Sequence, residues 1–222
     1  MPFAAQDANA ADFGAMLVAL AAGDGSASHP YTHSIELNAG PLATRNLADA
    51  LHLYSVLHGI QPGLVELAAS RNVLPEADTW FRQAVAGFAA ERAYLTQLIV
   101  VAGPVPSTPG EAESSAAVLG QRHALEMIAT SDRFGCAIGA VAALIFDWMA
   151  IRAVLDTAAE RIGIESPLSA LPEEDATAAL LAALPAQPRL DRTIAFGARQ
   201  LLLQHRGLWD LLETRAAARS DD

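Results

Sequence analysis

FGCAIGAVAALIFDWMAI, residues 134–151, is the stretch that decides the fold: eighteen residues in which Asp147 is the only charge. A helix drawn through it is apolar on every face, which suits either a bilayer or the centre of a large bundle. Its Ala and Gly content is high and Arg133 and Arg152 charge its ends, so the expected setting is a bundle core and no membrane span is expected. Asp147 can then hardly avoid burial. An unpaired buried carboxylate is costly or becomes neutral, so Asp147 should meet Arg92, Arg133, Arg152 or a histidine.

The rest of the chain reads outward from this helix. Residues 7–22 form a short Ala-rich helix, and residues 23–41 form a loop, marked by Gly and Pro, that crosses the bundle surface. Thr44 is the expected N-cap of a helix running to Gly59, broken by residues 59–63 before a short turn over 64–70. Pro75 opens a helix to Ala102, and three prolines make a loop of residues 103–110. Residues 111–163 contain no proline, yet one helix of that length would be a rod of roughly 80 Å, too long for a compact domain of this size. A break is therefore expected at Thr130, Ser131 and Asp132, with a new helix from near Arg133 to Gly163. A short helix over 173–184 lies between proline-marked linkers, and a last helix spans 190–217.

The expected long elements are thus 44–70, 76–102, 112–130, 133–163 and 190–217. They describe an all-α, single-domain chain over 1–222: an N-terminal helix and loop over 1–40, main bundle helices over 41–163, a linker with a short helix over 164–188, and a C-terminal bundle helix over 189–217. Short connections such as residues 71–75 imply antiparallel neighbours.

Composition agrees. Hydrophobic residues make up 52% of the chain but aromatics only 6%, so Ala and Leu carry the burial, as close-packed helices allow. All 14 basic residues are Arg, and the net charge of −11 would repel a phosphate backbone or an anionic membrane surface. With no Arg cluster apparent along the chain, neither nucleic acid nor membrane is an expected partner. The lone Cys136 sits in an apolar run, and the N-terminus has no basic region before an apolar one, so the cytoplasm is the expected location.

Each of several helices carries one titratable residue in its apolar stripe. Glu91 lies with Ala84, Phe88, Leu95 and Leu98, and His205 with Ile194, Ala198, Leu201, Leu208 and Leu212. His123 shares a face with Ala116, Leu119, Gly120 and Met127, with Glu126 three residues on. His58 borders the stripe Leu47, Leu51, Tyr54. Glu91, His123, Glu126, Asp147, His205 and His58 are therefore the candidate polar cluster. It is either a ligand or metal site built between helices or a set of inter-helix salt bridges. A metal ion is compatible with these residue types, but no metal ligand set is assigned and the cofactor is unknown. His29 and His33 have metal-ligand spacing, although Pro30 places them in a loop. Ala48, Ser55 and Gly59, with His52 beside them, make a small-residue face suited to homodimerisation.

Residues 47–54, LADALHLY, running into 57–63, LHGIQPG, resemble the opening helix of uncharacterised bacterial proteins with a ferritin-like helical fold. The resemblance covers about a quarter of the chain. It implies four long antiparallel helices with extra short ones, and no established reaction. Di-iron members of the ferritin-like class need Glu-x-x-His motifs, which this chain lacks; His123 and Glu126 stand in the reverse order, so a normal di-iron centre is not expected. A similar helix count occurs in haem-oxygenase-like bundles. There a haem would need His52 or His58, and the thiamin-salvage type would need a nucleophilic cysteine, for which Cys136 has no neighbouring base. The leading expectation is a structural or small-ligand-binding protein. The alternatives are a metal-dependent oxidoreductase using the buried cluster and a haem-oxygenase-like enzyme.

Overall fold

The computed structural model describes residues 3–185 and 187–220, with side chains from residue 13 onward. Those residues form helices and no strand. In order they are α1 (Phe3–Asp24), α2 (Ile35–Asn38), α3 (Ala43–His58), α4 (Leu64–Ser70), α5 (Asp78–Ala102), α6 (Glu111–Ala129), α7 (Cys136–Ile162), α8 (Glu174–Ala183) and α9 (Pro188–Ser220). Short 3-10 turns add Ser26–Ser28, Pro30–His33 and Pro75–Ala77.

The centre of the bundle is α7, the helix with no polar face. It packs against α1, α3, α4, α5, α6, α8 and α9. Among the described residues, two helices, Pro75–Ala102 and Cys136–Ile162, are long and apolar enough to cross a membrane, but most of the apolar stretch of the second is covered by its neighbours. Residue pairs give the directions. His58 faces Phe88 while His52 reaches Gly103, so α3 and α5 run antiparallel. Phe88 meets Trp148 and Tyr94 bonds Asp156, so α5 and α7 run parallel. Asp49 bonds Arg215 and His58 bonds His205, which sets α3 against α9. Finally, Gln121 reaches Gln204 while Thr108, just before α6, meets Arg219, so α6 also opposes α9.

Consecutive helices α3, α5, α6 and α7 therefore alternate in direction, as the short connections imply. The last helix breaks the alternation, because α8 and its linkers return the chain so that α9 starts beside the start of α7. The two cross closely. A Cβ on Gly139 would overlap the Ile194 carbonyl and one on Gly197 would overlap that of Cys136, so only glycine permits this approach.

Several local expectations need correction, the first being the Thr44 cap, since α3 starts at Ala43 behind Leu42 with no side-chain cap. The break after α6 is where it was expected, but α7 begins at Cys136 behind a left-handed Gly135, with no side-chain cap. Residues 23–41 do not simply cross the surface, since Ser26, His29, Tyr31 and Thr32 are buried. The buried line of α6 is Ser114, Val118, Leu125, Ile128 and Ala129, leaving Leu119 and Met127 exposed. With Ala or Gly on every side of this helix, its apolar pattern did not single out one face. The small-residue face on α3 is partly used within the chain: Ala48 is buried and His52 Nε2 donates to the Gly103 carbonyl at 2.8 Å.

Candidate functional site

Asp147, His205 and His58 meet in the core where α7, α9 and α3 face one another. His205 Nδ1 donates to Asp147 Oδ2 at 2.6 Å, and His205 Nε2 lies 2.8 Å from His58 Nε2. The buried loop before α2 completes the arrangement. Ser26 N donates to Asp147 Oδ1 and Ser26 Oγ to Oδ2, both at 2.6 Å. Glycine at position 25 makes this possible, because a Cβ there would strike the Asp147 carboxylate and the Ala21 carbonyl. Rings enclose the relay: Tyr54 stacks on His58, while Trp148 and Phe88 pack edge-on against it.

A nitrogen-to-nitrogen hydrogen bond holds one proton. One of the two Nε2 atoms donates it and the other accepts, while His205 Nδ1 donates to Asp147. Burial, then the neighbouring His205 and Arg92, pulls the His58 pKa well below the ordinary imidazole value, so its ring is neutral. Burial and the Asp147 charge hold the Tyr54 phenol well above its usual range. Its hydroxyl lies near Ser26 and Trp209 but in hydrogen-bond geometry with neither, leaving it and Trp209 Nε1 without a direct partner among the described residues. Ser26 donates to the carboxylate rather than to an imidazole, so the arrangement does not activate it as a nucleophile.

Glu91 belongs to a second network, which includes the Trp148 indole N–H. Its carboxylate accepts from Arg152 Nη1 at 2.9 and 2.8 Å and from Trp148 Nε1 at 3.0 Å. Arg152 continues to Asp156 and to the Pro167 carbonyl, and Asp156 accepts from Tyr94. A third network fastens the end of α9 to α3. Asp49 accepts from Arg215 at 2.7 and 2.8 Å and from Arg219 at 2.9 Å, while Arg219 also reaches Asn46 and Thr108. Glu66 pairs with Arg92.

The six candidate residues thus divide. Asp147, His205 and His58 come together, Glu91 is paired separately, Glu126 lines the small cleft beside His58 without bonding it, and His123 lies outside. The His123 side chain is 72% exposed and only 3.6 Å from Glu126, because its face of α6 looks outward. Ser26 escaped sequence reading because its Gly-rich setting reads as a surface turn; Gly25 immediately before it was the available sign of close approach.

Two metal arrangements can be tested against these donors. His58 and His205 point their Nε2 atoms at each other, with Asp147 behind His205 as a carboxylate commonly stands behind a metal-binding imidazole. Zinc–nitrogen bonds of about 2.1 Å would hold two tetrahedral ligands about 3.4 Å apart, so the rings would have to separate. No third His, Cys, Asp or Glu donor joins this pair among the described residues. The grouping that does offer three donors is His29, Asp210 and Glu213. Its histidine is poorly prepared: Tyr31 N donates to His29 Nδ1 at 3.2 Å, leaving the proton on Nε2, which donates to Asp210 at 3.0 Å. His33 points elsewhere, to the Ala27 carbonyl. Haem fits no better, since the cleft beside His58 holds about 10 Å³, room for about one water.

No curated protein and no solved structure matches the chain. A family model does, over residues 21–220, a span that includes Ser26, His58, Glu91, Asp147, Arg152 and His205. The chain therefore belongs to the DUF6975 family, a family of unknown function.

Proposed function

We propose that this is a metal-independent binding protein with a ferritin-like bundle arrangement, in which the buried polar residues are architecture and the working surface lies outside the core. One observation carries this reading: each inward carboxylate is already matched by a donor from another element. Asp49 has Arg215 and Arg219, Glu66 has Arg92, Glu91 has Arg152 and Trp148, and Asp147 has His205 and Ser26. A metal would have to displace these partners before binding. The alternating directions of α3, α5, α6 and α7 support the ferritin-like arrangement. A single buried cysteine suits a cytoplasmic setting.

The opposed imidazoles of His58 and His205 favour a second reading, a mononuclear metal-dependent oxidoreductase. Elemental analysis and an absorption spectrum of untagged protein purified without chelator, beside His58→Ala, separate the two. The first reading expects far less than one metal ion per chain and no visible band. Near-stoichiometric iron, manganese or zinc that is lost in His58→Ala would replace it with the second.

A further inference from the structure

Charge is unevenly distributed on this acidic chain. Where the start of α7 meets the first turns of α9, Arg133, Arg189 and Arg192 line a cleft of about 720 Å³. Six other arginines form salt bridges, but these three form none among the described residues. Sequence reading found no Arg cluster because 56 positions separate Arg133 from Arg189 (189 − 133); the packing of Gly135 against Leu190 brings them together. Among the described residues, Asp132 is the only acid lining this cleft, and it lies 3.7 Å from Arg71.

The cleft also has an apolar side. Phe134 and Phe196 line it while remaining 48% and 40% exposed, and the Arg133 guanidinium lies 5.3 Å from the Phe196 ring centroid. That stacking pre-orients one cation. Three guanidinium side chains on one cleft make it locally positive, and their planar forks suit phosphate or carboxylate oxygens. A volume of this size is in the range of small-molecule sites.

We propose that this cleft binds a small organic anion bearing an aromatic ring, with the acid group held by Arg133, Arg189 and Arg192 and the ring against Phe134 and Phe196. The inference rests on the binding role proposed above and supplies its site and ligand class. Isothermal titration of the full chain with phenyl phosphate, inorganic phosphate and phenol tests it. Phenyl phosphate should bind at least about tenfold more tightly than either fragment, and more weakly as salt rises. The double variant Arg133→Gln, Arg192→Gln should lose at least about tenfold in affinity. Both residues are exposed, so its circular dichroism should match the parent. Phe196→Ala should weaken phenyl phosphate but not inorganic phosphate. No binding of phenyl phosphate at about 10 mM, equal binding of all three probes, or unchanged affinity in the arginine variant would each overturn the proposal. Stoichiometric metal in a protein whose cleft still binds phenyl phosphate would overturn only the metal-independent reading.

Discussion

Glu91 and Asp147 are both buried carboxylates of the core, and the protein neutralises them by different means. Glu91 is held by a permanent cation, Arg152, with the indole N–H as a further donor. Asp147 is held by a histidine and by the backbone and hydroxyl of a loop serine, so its surroundings depend on where protons reside and on whether the loop stays docked. The difference separates two kinds of buried polar residue. A carboxylate paired with arginine keeps its partner at any moderate pH, whereas a carboxylate held by an imidazole and a docked loop has no permanent cation beside it.

The comparison breaks most sharply at Arg152. Arg152→Met leaves Glu91 buried without its cation and should destabilise by about 3–5 kcal/mol, read from urea unfolding midpoints at constant slope. Adding Glu91→Leu should recover much of that loss, because removing both partners leaves no stranded charge. A loss under about 1 kcal/mol in the single variant would show that Arg152 is not what neutralises Glu91.

Asp147→Asn should cost less, about 2–3 kcal/mol, since the amide keeps the shape and can still accept from Ser26 but loses the charged bond to His205. Protease cutting within residues 23–41 should rise in this variant. Equal cutting before and after the change would show that the loop is held independently of Asp147.

Protonation gives the smallest effect. The His58 pKa is lower in the folded chain than in the unfolded one, so its neutral form favours folding above the unfolded value of about 6.5, and that stability is lost as pH falls below it. Between pH 7 and 5 the unfolding free energy should decline, approaching about 1.4 kcal/mol per pH unit from this group. His58→Gln should flatten the decline while leaving the response of Arg152→Met to pH unchanged. A slope identical in parent and His58→Gln would remove His58 as its source.

Much of the helical framework was legible without coordinates, for reasons visible in particular residues. Proline and glycine punctuate the chain at 59–63, 103–110 and 163–172, and the length limit on a proline-free helix required the break near Ser131. Of the candidate cluster, Asp147 was legible because a helix apolar on all sides leaves a charge nowhere else to go. Glu91 and His205 were legible because their stripes are unambiguous. His123 misled because small residues surround α6 on every side, and alanine is compatible with either face.

Local sequence alone determined that the chain is helical, where most helices begin and end, and that α7 is central, because these depend on backbone propensity and on the period of apolar residues. Tertiary structure alone decided who meets whom. It paired Glu91 with Arg152 and Asp147 with His205, docked Ser26 into the core, and gathered Arg133, Arg189 and Arg192 around one cleft. Each of those meetings joins residues far apart in the chain through the packing of α7 against α5 or α9 or the folding of a loop, and helical periodicity carries no information about separations of that length.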